Sequence, residues 1–527
     1  MLREIIDQWA IECPERVAHQ SRENSLTYGD LKGYSDALAV WIHDNLERER
    51  EARSPIVVYG HKENEMIIAF LASIKSGHPY IPVDTSVPLE RVQQIIAASG
   101  AKLLLSPLEV PEELRNTGLL IQDKLALPNP AGLLSAGDNS QIPAIEWQVG
   151  PEDVYYIIYT SGSTGTPKGV QITLNALESY LNWVNTAYSP TRKQEVFLNQ
   201  APFSFDLSVM DLYMSLSNGG TLWSIDKGEI ANLREAFQSF ARSNLTIWVS
   251  TPSFAEICLM DKNFNSDLLP ELKHFLFCGE ILLHDTAAKL IERFPKAKVE
   301  NLYGPTEATV AVTTVTVTPE ILKAHNPLPV GQVKPDAQIL ICDSEDLNLA
   351  IRESRAPQSL PIGERGEIVI AGPNVSIGYL NNPEQTAKSF FSWADEHGTQ
   401  WQAYRTGDAG MFKEDQLFFF GRLDFQVKLH GYRIELGDIE ENLRLLPGVE
   451  NAVVLPIEKR GKVEYLHAFL TTQEIMNDEF SAAQDLKAGL RKTLPEYMIP
   501  RRFTFVQAMP MTSNGKVDRR ALLGRVQ

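Results

Sequence analysis

The sequence predicts an α/β protein with largely parallel sheets, followed by a smaller α+β tail. Up to about residue 360, short apolar runs such as "PIVVYGH" alternate with helix-like stretches such as "ENEMIIAFLASIKSG", where apolar residues recur at spacings of three and four. Beyond that point, "GEIVIAG", "LFFFGR" and "FQVKLHG" predict strands of an antiparallel barrel or ribbon. The tail offers "ELGDIEENLRLLPG", "ENAVVLPIEK" and "YLHAFLTT", which predict a helix followed by a strand pair.

The elements follow one another in a regular order. Further buried strands are predicted at "YIPVD", "KLLLS", "VYYIIYT", "TIWVSTP" and "HFLFCG", because each is a short apolar run. A second amphipathic helix is predicted at "PLERVQQIIAASG". Residues 124–150 are rich in Pro, Ala, Gly and polar residues, which predicts an exposed loop.

Length and composition limit the class of protein. A chain of 527 residues is too long for one ordinary core, so two or more domains are expected. Its 43% hydrophobic and 22% charged residues are typical of a soluble globular protein, and no stretch reaches the ~20 apolar residues of a membrane span. There is no apolar signal-peptide run, and four scattered cysteines without a CxxC pair indicate a reducing cytoplasm.

Charge is distributed unevenly along the chain. The net charge of -18 argues against a general nucleic-acid binder. Residues 425–527 carry 15 Lys+Arg and 13 Asp+Glu, a net charge of +2, which leaves -20 for residues 1–424. A nearly neutral tail on an acidic body indicates separate domains with different partners.

The stretch "YTSGSTGTPKGV" has the composition of a phosphate-binding loop. It lies between a predicted strand and a predicted helix, and it lacks the GxxxxGK pattern of the Walker type. Its glycines allow tight turns, its hydroxyls and amides can donate to an anion, and its lysine adds a cation. The residues expected to contact a polyphosphate are Thr160, Ser161, Gly162, Ser163, Thr164, Gly165 and Lys168.

Six motifs in one order resemble those of the adenylate-forming enzymes, which include acyl-CoA synthetases, luciferases and peptide-synthetase adenylation domains. Besides the phosphate loop they are "NLYGPTEATV", "GEIVIAGPNVSIGYL", "YRTGDAG", "GRLDFQVKLHGYRIEL" and "NGKVDRRAL". The resemblance implies an adenylation core at residues 1–423, built of two α/β sheet subdomains and a β-barrel-like subdomain. It also implies a small mobile C-terminal domain at residues 425–527, with a hinge at Asp424.

In this family a carboxylate attacks the α-phosphorus of ATP, giving an acyl adenylate and pyrophosphate. By resemblance Glu307 holds Mg²⁺, Thr306 donates to the α-phosphate, and Asp408 accepts from the ribose hydroxyls beside Arg422. Tyr303 offers its ring face to adenine. The remaining residues that the resemblance places at the nucleotide are Gly279, Asn301, Leu302, Gly304 and Pro305.

Lys516 in "NGKVDRRAL" is implied to be the catalytic lysine of the C-terminal domain. It would bridge the substrate carboxylate and the adenylate oxygens, and so favour the transition state. Rotation about Asp424 would deliver Lys516 for adenylation in one orientation and open a path for a thiol in the other.

Asp206 in "FSFDLSVMDLY" indicates that the activated acid is an α-amino acid. It matches the position that binds the α-ammonium group, and a desolvated Asp without a cationic partner would be unfavourable. The rest of the implied pocket adds no charge and suits a small side chain. Its residues are Leu207, Met210, Ser250, Leu276, Cys278, Leu302, Val310 and Ala311, with Lys516 at the carboxylate.

Two substrates remain open within this group. Several pocket stretches resemble the ligases that load D-alanine onto a carrier protein for teichoic acid modification. Leu302 departs from that pattern, since Thr is usual there, and this keeps L-proline open, as in the free-standing prolyl–carrier-protein ligases of nonribosomal peptide-type biosynthesis. The acceptor is expected to be a separate, acidic carrier protein with a phosphopantetheine arm, docking on the less acidic tail.

Two other classes of function are weighed against this one. A non-catalytic nucleotide-binding protein on the same fold would be expected to lack Lys516 or Glu307, and both are present. A luciferase-like oxidase would not need Asp206. The sequence therefore favours an ATP- and Mg²⁺-dependent amino acid–carrier protein ligase in the cytoplasm.

Overall fold

The computed structural model describes residues 1–22, 24–46, 52–125, 143–162, 166–188, 194–423, 426–459, 461–472, 478–511 and 517–524. Helices and strands alternate along most of the chain. The α-helices are α1 (Leu2–Glu12), α2 (Tyr28–Asn45), α3 (Asn64–Lys75), α4 (Leu89–Ser99), α5 (Glu112–Arg115), α6 (Leu174–Tyr188), α7 (Leu207–Ser217), α8 (Lys227–Ala231), α9 (Leu233–Ser243), α10 (Pro252–Leu259), α11 (His284–Arg293), α12 (Pro319–Ala324), α13 (Ser344–Glu353), α14 (Pro383–Ser389), α15 (Leu436–Arg444), α16 (Glu479–Leu490) and α17 (Arg519–Leu523).

The strands are short, and most are buried. They are β1 (Val17–Ser21), β2 (Asn24–Thr27), β3 (Ile56–Gly60), β4 (Tyr80–Asp84), β5 (Leu103–Leu105), β6 (Leu120–Gln122), β7 (Val154–Thr160), β8 (Lys168–Thr173), β9 (Val196–Asn199), β10 (Thr221–Ser224), β11 (Ile247–Ser250), β12 (His274–Phe277), β13 (Lys298–Tyr303), β14 (Thr313–Thr316), β15 (Gln332–Val333), β16 (Gln338–Cys342), β17 (Gly366–Ala371), β18 (Phe390–Ala394), β19 (Gln400–Lys413), β20 (Gln416–Arg422), β21 (Gln426–Leu429), β22 (Tyr432–Glu435), β23 (Val449–Lys459), β24 (Lys462–Thr472) and β25 (Arg502–Phe505).

Two large sheets carry the predicted parallel strands. Among the described residues one sheet has the order β6-β5-β3-β4-β7-β8, and the other has the order β15-β14-β13-β12-β11-β9-β10-β1-β2. In the second sheet β13, β12, β11, β9, β10 and β1 run parallel. The edge strand β2 is antiparallel to β1, β14 is antiparallel to β13, and the other edge strand, β15, is antiparallel to β14. The predicted α/β alternation is confirmed, because helices separate most of the parallel strands along the chain and those strands are largely buried.

The third sheet is antiparallel, as predicted for the region after residue 360. Its order is β16-β17-β19-β18, and β20 pairs with β19. The strand predicted at "FQVKLHG" is also antiparallel: β21 forms a separate two-stranded hairpin with β22.

The chain forms two compact units. The first comprises residues 1–84, 98–158 and 169–423, and the second comprises residues 85–97, 159–168 and 424–527. The core of the second unit includes Leu436, Ile439 and Leu443, which occupy one face of α15. The predicted helix and strand pair are confirmed there by α15, β23 and β24, whereas the proposed motion of residues 425–527 stays a prediction, and Asp424 lies outside the described residues.

The setting of the phosphate loop differs from the prediction. The element that follows the loop is strand β8, and a helix begins only at Leu174. The reason is that Val170 and Ile172 alternate with more polar positions and are completely buried, which is a strand pattern. At Gly162 a Cβ atom would lie 1.9 Å from the carbonyl oxygen of Thr166, so the loop's return requires glycine at that position.

Two other predictions concern the loop at residues 124–150 and membrane-spanning helices. Most of the loop predicted at 124–150 lies outside the described residues, and Ile145–Trp147 forms a 3₁₀ turn. Of the helices that the structure describes, none has the length and apolar character required to cross a bilayer.

Candidate active site

The predicted site residues of the first unit gather at the carboxyl edge of the parallel strands. Strands β11, β12 and β13 are in register, with Ser250 opposite Phe277 and Phe277 opposite Asn301. The segments that follow these strand ends carry Cys278, Gly279 and the "GPTE" turn. Ligands of open α/β sheets bind outside this edge, so the topology itself indicates a binding site there.

Asp206 and Thr306 are hydrogen-bonded to each other. Asp206 is half-buried at the N-cap of α7, and Thr306 begins the 3₁₀ turn Thr306–Ala308 after β13. Thr306 Oγ1 donates to Asp206 Oδ2 at 2.7 Å. From the sequence, Asp206 was predicted to bind the substrate ammonium group and Thr306 the α-phosphate. In the structure their side chains contact each other.

Glu307 is completely buried beside Tyr379. The hydroxyl of Tyr379 donates to Glu307 Oε1 at 2.8 Å, and the amide of Ser376 donates to the carbonyl oxygen of Glu307 at 2.8 Å. Tyr379 was not among the residues predicted from the sequence, although it lies in the motif "SIGYL". These contacts fix the position of a buried carboxylate.

The backbone immediately after Glu307 adopts an unusual conformation. Thr309 and Val310 have φ values of 55° and 68°, which β-branched residues rarely adopt. Asn374 holds this turn: its carbonyl accepts from Thr309 Oγ1 at 2.7 Å, and its side-chain amide donates to the carbonyl of Ala308 at 2.8 Å. Such strain persists only where neighbouring contacts enforce it, and it is common at functional sites.

Asp408 is the centre of a third group of contacts. It is the register partner of Arg422 on β19 and β20, and Arg422 Nη1 donates to Asp408 Oδ1 at 2.8 Å. The hydroxyl of Tyr303 donates to Asp408 Oδ2 at 2.5 Å. Burial, together with the Asp408 charge, holds the pKa of Tyr303 well above its usual value, so the tyrosine stays a donor. Nearby, the side-chain amide of Asn301 donates to the carbonyl of Pro329 at 2.8 Å.

Seven of the predicted pocket residues belong to one buried apolar cluster. They are Leu207, Met210, Leu276, Cys278, Leu302, Val310 and Ala311. Cys278 Sγ donates to the carbonyl of Val310 at 3.5 Å. At Gly304 a Cβ atom would lie 2.5 Å from Ala311 Cα, so the approach of the "GPTE" turn to this cluster requires glycine there.

Ser250 is the exception among the predicted pocket residues. Its hydroxyl accepts from Trp248 Nε1 at 2.7 Å and donates to the carbonyl of Thr251 at 2.9 Å. Trp248 belongs to a different core cluster from Leu276 and Cys278. Since alternate residues of a strand face opposite sides, this placement argues against Ser250 as a wall of the pocket.

In the second unit, the ends of the phosphate loop contact the hairpin β21–β22. Ser161 Oγ donates to the carbonyl of Arg433 at 2.8 Å and accepts from the amide of Glu435 at 3.1 Å. Lys168 Nζ lies 3.4 Å from Glu435 Oε1. The lysine expected to meet a polyphosphate thus faces a carboxylate, and its phosphate contact stays a prediction. Ser163, Thr164, Gly165 and Lys516 lie outside the described residues.

The described residues contain no cluster of three or more His, Cys, Asp or Glu side chains that could hold a metal ion on its own. Glu307 alone is a suitable partial ligand, since Mg²⁺ is often held by one or two carboxylates together with substrate phosphates.

The parallel sheets, the strand-edge site and the small second unit define a class of nucleotide-binding α/β enzymes with an appended α+β domain. The chain belongs to the family of AMP-binding enzymes: the model of that family matches residues 6–380, and the model of the AMP-binding enzyme C-terminal domain matches residues 438–516.

Relatives and solved structures agree with this assignment. A D-alanine--D-alanyl carrier protein ligase of Bacillus cereus is 49% identical over 535 residues, which cover 100% of this chain and 99% of the relative. A fused adenylation-PCP di-domain NRPS from Klebsiella oxytoca, NpsA-ThdA, has a TM-score of 0.78 at 24% identity and covers 95% of this chain and 93% of its own. The Vibrio cholerae adenylation domain AlmE, in complex with glycyl-adenosine-5'-phosphate, has a TM-score of 0.77 at 22% identity and covers 100% and 97% of the two chains. The predicted fold class is confirmed by these two structures.

Proposed function

We propose that this AMP-forming ligase activates D-alanine with ATP and transfers it to the phosphopantetheine thiol of a separate carrier protein. The proposal is supported by the full-length similarity to a ligase of that name at 49% identity. It is supported within the structure by the hydrogen bond between Thr306 and Asp206. The reaction consumes ATP and releases pyrophosphate in its first step, and releases AMP in its second.

The Thr306–Asp206 contact is the observation that carries the substrate class. Asp206 provides a negative charge for the substrate ammonium group. Thr306 donates its single hydroxyl hydrogen to Asp206 in this structure; when the substrate ammonium replaces Thr306 as the donor to Asp206, that hydrogen is released for the phosphate that the substrate carboxylate attacks. An α-amino acid has its ammonium and carboxylate groups on one carbon atom, so its two ends suit two adjacent groups of this kind. Holding the amino acid and ATP side by side in this way converts their bimolecular encounter into a unimolecular step.

The nucleotide is proposed to bind beside the Asp408 group. Among the described residues, Asp408 Oδ2 accepts from Tyr303 and Oδ1 accepts from Arg422, and each oxygen has a second lone pair suited to a ribose hydroxyl. The fully buried carboxylate of Glu307 fits Mg²⁺, which prefers such hard oxygen ligands. When bound, Mg²⁺ supplies positive charge to the phosphate oxygens. Lys516 is proposed to stabilise the charge that develops as the carboxylate attacks.

The pocket cluster supports a small apolar side chain. Its buried members, from Leu207 to Ala311, carry no charge, and Cys278 is occupied by its contact with Val310. The methyl group of D-alanine therefore breaks no polar contact of the pocket when it binds there. L-proline differs in the ring that would have to be housed near Leu302, and it is retained as an outcome of the test.

The acceptor is proposed to be an acidic carrier protein in the cytoplasm. The second unit carries the tail whose net charge is +2, and this makes it the better docking face for an acidic partner.

The function is tested by ATP–pyrophosphate exchange with D-alanine, L-alanine, glycine and L-proline, followed by loading of a phosphopantetheinylated D-alanyl carrier protein. We expect D-alanine to give the highest kcat/KM and to load the carrier. Strong exchange with L-proline and none with D-alanine would replace the proposed substrate. Exchange with none of the amino acids would contradict the assignment of Asp206.

A further inference from the structure

A buried polar network lies behind the segment that leads to Asp206. Its six members are almost entirely inaccessible to solvent, and none of them was among the site residues predicted from the sequence. They are His19, Lys62, Asn64, Asn199, Asp211 and Ser224. Polar groups are costly to bury, so a network of this size calls for a structural or functional reason.

Lys62 contacts the segment 199–203 at three points. Its Nζ donates to the side-chain oxygen of Asn199 and to the carbonyl of Ala201. The same atom lies 4.8 Å from the centroid of the Phe203 ring, a cation–π distance. Asn199 ends β9, and only two residues separate Phe203 from Asp206. The conformation of this segment therefore depends on one buried ammonium group.

Asp211 lies within α7, where burial raises the pKa of its carboxyl well above the usual value and Lys62 opposes that rise. The side-chain amide of Asn199 donates to Asp211 Oδ1 at 2.9 Å and to the carbonyl of Ala201 at 3.2 Å. Burial lowers the pKa of Lys62 to about 7, and the Asp211 charge opposes this shift. Asp206 occupies the N-cap position of the helix that contains Asp211, so the network contacts the segment before Asp206 as well as the helix after it.

The remaining members orient Asn199. Ser224 Oγ donates to Asn199 Oδ1 at 2.7 Å, and His19 Nε2 lies 2.8 Å from Ser224 Oγ. His19 Nδ1 in turn lies 2.7 Å from Asn64 Oδ1. With Lys62 and Ser224 both donating to its oxygen, the amide nitrogen of Asn199 is directed toward Asp211.

We propose that Lys62 is a positioning residue for the amino-acid substrate. It fixes the segment 199–203, and together with Asp211 it fixes the start of α7. The Asp206 carboxylate is thereby held where Thr306 contacts it and where the substrate ammonium group can bind. Lys62 itself does not touch the substrate. The inference rests on the proposed function, because it assigns the ammonium group to Asp206.

The test must separate positioning from stability. Lys62 and Asp211 influence each other's pKa although both are buried. Removing Lys62 alone would leave the buried Asp211 carboxyl without the cation that opposes its pKa rise, whereas replacing both groups avoids an uncompensated buried charge. We therefore use Lys62→Met together with Asp211→Asn. Propionate, which is alanine without its ammonium group, is the probe that does not need Asp206.

We expect the double variant to raise the KM for D-alanine in pyrophosphate exchange about tenfold, and to leave the KM for ATP within twofold. The ratio of kcat/KM for D-alanine to that for propionate should fall by the same factor, because propionate activation is unaffected. A role in stability alone would lower both activities together and leave the ratio unchanged, and that result would overturn the proposal.

The matched control is a second buried lysine that is remote from this segment in sequence. Lys75 is 1% exposed, and its Nζ lies 2.9 Å from Asp7 Oδ1 and 2.5 Å from Asp36 Oδ1. Lys75→Met with Asp7→Asn and Asp36→Asn should leave the D-alanine to propionate ratio unchanged. A fall equal to that of the Lys62 variant would mean that any buried pair has this effect, and would count against Lys62.

A milder variant covers the case in which the double variant does not fold. Ser224→Ala removes one of the two donors to Asn199 Oδ1 and should raise the KM for D-alanine about threefold, with ATP unaffected. An unchanged KM would contradict the proposed network. Failure of the proposed function itself gives a different pattern, since the wild type would then show no preference for D-alanine over propionate.

Discussion

The hydroxyl of Thr306 donates a 2.7 Å hydrogen bond to Oδ2 of Asp206, although the two residues are 100 positions apart in the chain. Thr306 follows β13 and Asp206 caps α7. The contact joins a residue expected to bind a phosphate group with one expected to bind an ammonium group. Each can therefore be tested by its effect on a different substrate.

Asp206→Asn keeps the shape of the side chain and removes its charge. We expect the KM for D-alanine to rise about 10- to 100-fold, since a hydrogen bond to a charged group contributes about 1.5–3 kcal/mol. The KM for ATP should change little. Steady-state pyrophosphate exchange measures both constants. Propionate provides the internal control, because its weak activation should be equal in wild type and variant; an unchanged KM for D-alanine would assign Asp206 a structural role.

Much of the fold and part of the site were predictable from the sequence. Strands such as "TIWVSTP" and "HFLFCG" were recognised because they are buried on both sides and therefore apolar throughout. Asp206, Thr306 and Asp408 could be located because they lie in motifs with a fixed order.

Other features depend on contacts that sequence spacing does not show. Lys62 lies two residues before α3, and its hydrogen-bond partner Asn199 is 137 residues away in the chain. The strand β8 was missed because the glycine-rich composition of the phosphate loop suggested a following helix. Ser250 was assigned to the pocket by position, but its hydroxyl contacts Trp248, a residue of another core cluster.

Lys516→Ala should separate the two half-reactions. Adenylation should fall by about 10³-fold, since one transition-state charge contact contributes a few kcal/mol. Transfer from preformed aminoacyl adenylate to the carrier protein should change much less, because the new charge on the phosphate has already formed. Pyrophosphate exchange measures the first step and carrier loading from added adenylate measures the second.

The exposed Lys492 of the same domain provides the matched control for that experiment. Lys492→Ala should leave both half-reactions within twofold. If Lys516→Ala reduced the two steps equally, its assignment to adenylation would be wrong.

His19 should make the stability of the protein depend on pH. Burial lowers its pKa from 6.5 to about 3, so the unfolded chain takes up a proton below pH 6.5 that the folded chain does not bind. Stability contributed by neutral His19 is complete above pH 6.5 and is lost as the pH falls toward 3, at up to about 1.4 kcal/mol per pH unit. Urea unfolding followed by tryptophan fluorescence at pH 4.5, 5.5 and 6.5 measures this slope. His19→Gln, which cannot take up a proton, should flatten it; equal slopes in the two proteins would show that His19 is not buried in its neutral form.

Leu302→Thr tests the choice between D-alanine and L-proline. Leu302 is buried in the same apolar cluster as Met210 and Leu276, and it is the position at which this chain departs from the pattern of the D-alanine-loading group. Threonine at this position removes apolar volume and adds a hydroxyl. A single methyl or methylene group contributes about 1–3 kcal/mol in such a pocket, which corresponds to about 10- to 200-fold in kcat/KM.

If D-alanine is the substrate, its exchange should be retained or improved in the variant, because its methyl group does not need the leucine. Any exchange with L-proline should weaken, because the ring loses the apolar wall that Leu302 provides. Exchange assays of wild type and variant with both amino acids decide between them: a wild type that exchanges L-proline strongly and D-alanine not at all, and that loses proline exchange on Leu302→Thr, would identify Leu302 as part of a proline pocket.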